Sequence, residues 1–237
     1  NEVIANRALE ILKLKKGDCT KVHSHDHVNM GQSTNDVMPA ALRVAAVEAL
    51  QAFYASAGKL EAELLKKSRE FRRVVKAGRT HMQDAAPITL GQEFSGYATV
   101  VKKAIERIKA AEKNFHNLGS GGSAVGTGLN TTIAYRKLLI RNLNRTTGFK
   151  FYSEANLFEL MQSTADFSAL SGQLKTFALS LVQITNDFRL LSSGPNTGFS
   201  EIKLPVRQPG SSIMPGKVNP VMPEMLAMIC FQVAGND

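Results

Sequence analysis

The segment best suited to chemistry is residues 210–220, which read Gly-Ser-Ser-Ile-Met-Pro-Gly-Lys-Val-Asn-Pro. Its glycines and prolines keep the backbone out of regular structure, so N–H groups are free to point outward and bind an anion. Lys217 adds a positive charge and Asn219 an amide donor. A flexible surface loop is the alternative, but it would carry more charged and fewer apolar residues. The composition therefore favours an anion-binding function.

A second polar segment, residues 76–87, reads Lys-Ala-Gly-Arg-Thr-His-Met-Gln-Asp-Ala-Ala-Pro. Thr80 and His81 precede a helix that the pattern predicts to begin near residues 87–89. The positive end of that helix could join them in holding an anion. A lone histidine is more often structural than catalytic, but the dense polar company of His81 favours a functional role.

Residues 30–39 lead into another long helix and include the run Ser-Thr-Asn-Asp. Ser33 or Thr34 could be only an N-cap, because hydroxyls at that position accept from free helical N–H groups. Four such residues in a row exceed what capping needs. Thr34 and Asn35 are therefore candidates for binding a carboxylate.

Two further patterns carry weaker signals. His23, His25 and His27 alternate as ligands on a strand would, but no partner strand and no second ligand cluster are predicted, so we predict no metal site. The glycine-rich run at residues 119–128 looks like a phosphate loop. It lacks the Gly-Lys-Ser/Thr ending, and no strand precedes it. We interpret it as a tight loop or a subunit-packing turn.

Apolar residues recur at steps of three and four in three long stretches, residues 42–64, 90–111 and 170–191. This spacing puts the side chains of each stretch on one face of a helix about 25–35 residues, or roughly 40–50 Å, long. Helices of this length lie side by side in elongated bundles, often shared between subunits. No alternating strand pattern occurs. The sequence predicts an all-α, long-helix bundle.

Composition narrows the class of protein. The 237 residues carry 29 Lys and Arg against 20 Asp and Glu, a net charge of +9. The basic residues are scattered along helical faces without interleaved aromatics, which favours a solvated surface over nucleic-acid binding. No apolar run approaches a membrane span, and two distant cysteines make no disulfide scaffold. We predict a cytoplasmic protein that binds neither nucleic acid nor membrane. Because the chain starts without Met and inside a helix, we interpret it as an internal piece of a longer protein.

Three of these segments together resemble conserved blocks of the fumarase/aspartase superfamily of lyases. Residues 31–36, 78–87 and 210–220 match in the family's order, and the last is its signature loop. The resemblance implies the central helical domain of that fold over residues 31–237, preceded by the end of an N-terminal domain over residues 1–30, both truncated. It also implies a homotetramer, active sites assembled from three subunits, and no cofactor.

The resemblance assigns roles position by position. Ser211 matches the general base that removes a proton beside a substrate carboxylate, giving an aci-carboxylate intermediate. The implied catalytic residues are Ser211, His81, Glu224 and Lys217, with Glu224 paired to His81. The implied substrate-binding residues are Thr34, Asn35, Thr80, Ser212, Lys217 and Asn219. His23 and Asp26 align with a secondary dicarboxylate site, although His25 replaces the usual residue there.

The resemblance leaves the reaction open. The expected substrate is a small dicarboxylate: aspartate, fumarate or malate. Residues 203–210 and 219–224 favour release of ammonia from aspartate, whereas His81 and residues 92–97 and 121–128 favour release of water from malate. We lean to the ammonia-lyase reaction. Argininosuccinate- or adenylosuccinate-type relatives, which bind bulkier leaving groups, stay open as alternatives but match less well. An inactive helical fragment is the alternative from another class.

Overall fold

The computed structural model describes residues 1–237. Long helices dominate it, and none is long and apolar enough to cross a membrane. The helices are α1 (Glu2–Ile11), α2 (Thr34–Glu70), α3 (Leu90–Glu112), α4 (Ile133–Thr147), α5 (Leu157–Gln162), α6 (Ala165–Leu191) and α7 (Val221–Asn236). The strands are β1 (Val75–Thr80), β2 (Gln83–Thr89), β3 (Asn117–Leu118) and β4 (Tyr152–Ser153). The predicted all-α class is confirmed, and the four strands form only two small two-stranded sheets.

The chain divides into two compact units, and each is discontinuous in sequence. Unit 1 comprises Asn1–Ala49 and Lys113–Thr164, and unit 2 comprises Leu50–Glu112 and Ala165–Asp237. The core of unit 1 includes Leu9, Phe115 and Phe151, all almost fully buried. The predicted domain boundary after residue 30 stays a prediction.

Unit 2 is built on helices α3, α6 and α7. The stripe predicted over residues 90–111 is buried from Leu90 to Ile108, because its spacing follows the helical repeat. Phe94 on α3 stacks on Phe188 of α6 with ring centroids 5.4 Å apart. Aromatic stacking and apolar burial therefore hold α3 to α6.

The stripe predicted on α2 is displaced within unit 1. Leu42 is 53% exposed, whereas Arg43 beside it is buried at 1%. The Arg43 Nη1 donates to the carbonyl oxygen of Asn114 at 3.0 Å, and its guanidinium lies 5.5 Å from the centre of the Phe115 ring. These partners allow a charged group to be buried where sequence spacing favours leucine.

The main departure from the sequence prediction is an antiparallel hairpin over residues 75–89. Strands β1 and β2 pair from Val75–Thr89 at the base to Thr80–Gln83 at the tip, with an irregularity between Gly78 and Arg79. Helix α3 begins directly after the base. The expectation that Thr80 and His81 lie at a helix N-terminus is therefore wrong, because β2 separates them from it.

Candidate active site

The N-terminus of α2 presents two of the predicted substrate-binding residues. Thr34 is its first residue and is exposed. The side-chain amide of Asn35 donates to the carbonyl oxygen of Ala124 at 2.8 Å, so part of its donor capacity is already used. The hydroxyl of Thr34 has no partner within the chain and is available to a ligand.

Asp36, which sequence reasoning did not single out, organises this region. Its carboxylate is buried at 2% exposure and accepts three backbone N–H bonds, from Ser33 at 3.0 Å, Gly121 at 3.0 Å and Ser123 at 3.1 Å. Gly121 has φ +88°, a conformation that glycine adopts without strain. The glycine-rich run over residues 119–128 is thus a tight loop whose N–H groups bind the protein's own carboxylate. The sequence signal that could have identified Asp36 is its place as an acidic residue in the first turn of α2.

The histidine segment forms a single π-helical turn, Ser24–Val28, and not the strand-like alternation considered from sequence. The Nδ1 of His23 accepts from the backbone N–H of Asp26 at 3.1 Å and lies 3.2 Å from its carboxylate. The Nδ1 of His27 accepts from the backbone N–H of His23 at 2.8 Å. The structure groups no three His, Cys, Asp or Glu side chains in a way that could hold a metal ion. The secondary dicarboxylate site at His23 and Asp26 stays a prediction.

The hairpin tip carries Thr80 and His81. His81 and Met82 both have positive φ, 52° and 60°, the conformation that a two-residue hairpin turn requires and that residues other than glycine adopt at a cost. Both side chains are exposed, and the imidazole makes no hydrogen bond within the chain. The tip therefore holds a strained histidine whose imidazole has no hydrogen-bond partner within the chain.

A partly buried ion-pair cluster lies at the base of the hairpin. The Lys76 Nζ lies 2.7 Å from a carboxylate oxygen of Glu93 and 2.8 Å from one of Glu201, and the side chain of Lys76 is only 8% exposed. Burial opposes the charged ammonium, but the hydrogen bonds to both carboxylates outweigh it and hold the pKa of Lys76 above its usual value. Burial also raises the pKa of Glu201, yet the bonds from Arg79 and Lys76 outweigh it, so this pKa is lowered. Lys76 and Glu201 are therefore both charged at neutral pH.

Beside this cluster is a cavity of about 510 Å³ lined by hairpin residues, Asp187, Leu191 and Phe199. Asp187 on α6 accepts a hydrogen bond from the Tyr97 hydroxyl at 3.1 Å. Burial raises the pKa of Asp187 above its usual value, and burial likewise raises that of Tyr97. The surroundings of Asp187 therefore disfavour its ionised form.

Most residues of the signature loop, residues 210–220, are exposed. Ser211 is half-buried, and its Oγ accepts from the backbone N–H of Met214 at 3.3 Å. The side chains of Ser212, Lys217 and Asn219 are exposed and have no partner within the chain. The loop thus offers one backbone donor to Ser211 and three polar groups to solvent.

Glu224, in the first turn of α7, lies with its carboxylate 3.9 Å from the Arg189 Nε. It makes no hydrogen bond or ion pair with His81 in the same chain, and neither group bonds to Ser211. One chain alone does not bring these catalytic candidates together. Their pairing stays a prediction, and the implied assembly from several subunits is the arrangement that would supply it.

Long helices joined by irregular segments that present serine, lysine, histidine and asparagine side chains without partners are typical of a helical enzyme. The family model described as "Lyase" matches residues 1–235. The chain belongs to this lyase family, and the resemblance seen in its sequence is confirmed.

The individual proteins that this chain is similar to support the same family. The chain is 47% identical over 237 residues to the aspartate ammonia-lyase of a Bacillus species and covers 51% of that protein. It is 48% identical over 237 residues to the mitochondrial fumarate hydratase of Rattus norvegicus and covers 47% of it. A crystal structure described as fumarate lyase:delta crystallin from Brucella melitensis, bound to cobalt, matches 99% of this chain and 51% of that one, with a TM-score of 0.95 at 46% identity. The chain thus spans about half the length of the curated relatives it matches.

Proposed function

We propose that the protein containing this chain interconverts aspartate with fumarate and ammonia. The hydrogen bond from the Met214 N–H to the Ser211 Oγ is the observation that supports this most, because a serine can act as a base only where nearby donors stabilise its oxyanion. The unpartnered side chains of Lys217 and Asn219 in the same loop are available to a substrate carboxylate. A relative named aspartate ammonia-lyase supports the choice of substrate.

In the proposed reaction, Ser211 takes a proton from the carbon next to one carboxylate. The electron pair moves into that carboxylate, giving an aci-carboxylate whose added charge Lys217 and the loop N–H groups stabilise. Its collapse forms the double bond and expels the protonated amino group from the neighbouring carbon as neutral ammonia, while Ser211 keeps the abstracted proton. Ser212 and Asn219 would hold one carboxylate of the substrate. The other end of the substrate would be surrounded by Thr34, Asn35, Thr80 and His81. Glu224 would be oriented toward His81.

The proposed enzyme is a cytoplasmic homotetramer with shared sites. Support for assembly comes from α7, where several large apolar side chains are more than half exposed in the single chain, namely Met228, Ile229 and Phe231. Such a face favours burial against another subunit. The two free cysteines are compatible with a reducing compartment.

Hydration of fumarate to malate is the second candidate. It is favoured by the mitochondrial fumarate hydratase, which is as similar over the same residues as the ammonia-lyases are. An amino and a hydroxyl leaving group occupy the same position, so the shared scaffold alone does not separate the two reactions.

One experiment decides between them. Full-length protein containing this chain is mixed with fumarate and ammonium, and the product is identified by proton NMR. We expect aspartate, and no aspartate in a matched reaction without ammonium. Malate without aspartate would make the protein a hydratase, and neither product would favour the inactive alternative.

A further inference from the structure

The hairpin that carries Thr80 and His81 is held by a segment that the proposed reaction does not use. This segment, residues 192–202, follows α6 and is here called the strap. Glu201 in the strap binds Lys76 at the base of β1 at 2.8 Å and the Nη2 of Arg79 at 2.6 Å. One carboxylate from the strap therefore bridges two cations on the same strand.

Phe199 of the strap completes this contact. The guanidinium of Arg79 lies 4.2 Å from the centre of the Phe199 ring, a cation–π distance. Glu201 thus binds Arg79 at its edge, while Phe199 covers its face. A planar guanidinium held on both edge and face loses most of its freedom to rotate.

The strap itself is fixed to the end of α6. The backbone N–H of Phe199 donates to the Ser193 Oγ at 3.1 Å, and that of Glu201 donates to the carbonyl oxygen of Leu191 at 2.9 Å. Between them, Ser200 has φ 50°, which turns the chain so that both neighbours are presented to Arg79. These bonds fix the strap to the end of α6.

The hairpin tip has no comparable support of its own. Thr80, His81 and Gln83 make no side-chain hydrogen bonds, and their side chains are exposed. Arg79 immediately precedes Thr80 and is the last residue of β1 with a tertiary partner. Backbone strain at His81 persists only where the surrounding structure over-determines it, and the contacts of Arg79 provide that constraint.

We propose that Glu201 and Phe199 are positioning residues that act through Arg79 to fix the hairpin tip and so set the place of Thr80 and His81 at the substrate. The position of the tip follows from the structure alone, whereas its effect on turnover rests on the proposed function. Neither Glu201 nor Phe199 needs to touch substrate for this role.

The test uses Glu201→Gln and Phe199→Leu in the full-length protein, with Glu63→Gln as the matched control. Glu63 lies in an exposed ion pair with Lys66 on α2, outside both the hairpin and the strap. Hydrogen–deuterium exchange is measured on peptides covering residues 75–89, and KM and kcat on whichever substrate the wild type turns over. Both strap variants should raise exchange at the tip at least about fivefold and raise KM about tenfold or more, because small displacements of a binding group weaken its contacts strongly.

Each outcome decides the proposal. Faster exchange confined to residues 75–89, with raised KM and a smaller change in kcat, supports it. Unchanged exchange in both variants overturns it, and so does faster exchange that spreads equally to α3 and α6, which would indicate general destabilisation. Faster exchange at the tip with unchanged KM and kcat overturns the positioning role. If the wild type turns over no dicarboxylate, the proposed function fails, while the exchange data still report on the strap.

Discussion

The base of the hairpin and the signature loop treat polar side chains in opposite ways. At the hairpin base, Lys76, Glu93 and Glu201 form close ion pairs within the chain. In the signature loop, the side chains of Lys217 and Asn219 have no partner within the chain. Pairing satisfies a charge and makes it structural, whereas an unpaired group keeps its capacity for a ligand. The comparison therefore separates groups that support the site from groups that would do its chemistry.

The largest effect should come from the loop side of this comparison. Ser211→Ala removes the proposed base, so kcat should fall about a thousandfold or more, while the thermal midpoint stays within about 1 °C. Steady-state kinetics and thermal denaturation of the full-length protein measure both. Ser180→Ala is the control, because that hydroxyl bonds only to the carbonyl oxygen of Thr176 in its own helix. Retained turnover in Ser211→Ala would refute the role of Ser211.

Among the paired groups at the hairpin base, Lys76→Met should lower the stability of the fold. It leaves Glu93 without its partner in a half-buried position, so the free energy of unfolding should fall by about 3 kcal/mol. Urea denaturation measures this loss. Lys66→Met, in an exposed pair with Glu63, should change the same quantity by less than about 0.5 kcal/mol. Equal effects of the two variants would remove the distinction between supporting and surface pairs.

The smallest effect concerns Asp187, whose pKa is raised by burial. The folded state binds the Asp187 proton more tightly than the unfolded state does. This group therefore lowers the stability of the fold as the pH rises above about 3.9, the ordinary pKa of an aspartic acid. Asp187→Asn should therefore raise the thermal midpoint at pH 7 by about 2–4 °C. The gain should shrink toward pH 4, where the native aspartic acid is increasingly protonated in both states. A lower midpoint at pH 7 would contradict the cause assigned to the shift.

Sequence periodicity predicted the helices well where one face meets the core. The stripes on α3 and α6 follow burial closely because a 3.6-residue repeat fixes which side chains face inward. It failed at Leu42 and Arg43, because hydropathy cannot anticipate a cation that finds a carbonyl oxygen and a ring 71 residues or more along the chain.

The hairpin and its support could not be predicted from the same patterns. Residues 75–80 read Val-Lys-Ala-Gly-Arg-Thr, without the alternation of apolar side chains that indicates a strand. The tip pair His81–Met82 lacks the Asn-Gly or Asp-Gly signal of a two-residue turn. The bond between Arg79 and Glu201 spans 122 positions, and no local pattern encodes a partner so distant. In contrast, the segments carrying Thr80 and Ser211 were found from composition and resemblance, because binding groups cluster locally.

The discontinuity of unit 2 has a consequence for how the chain is made. Helix α3 leaves the ribosome with its apolar face complete, but the first residue of its partner α6 comes 53 positions after Glu112. At about 5–20 residues per second, translation takes about 3–10 s to cover that interval. Throughout it, Phe94 lacks Phe188 of α6, the ring on which it is finally stacked. During synthesis the nascent chain thus exposes an apolar face of α3 to aggregation, and the finished contact between α3 and α6 removes that exposure.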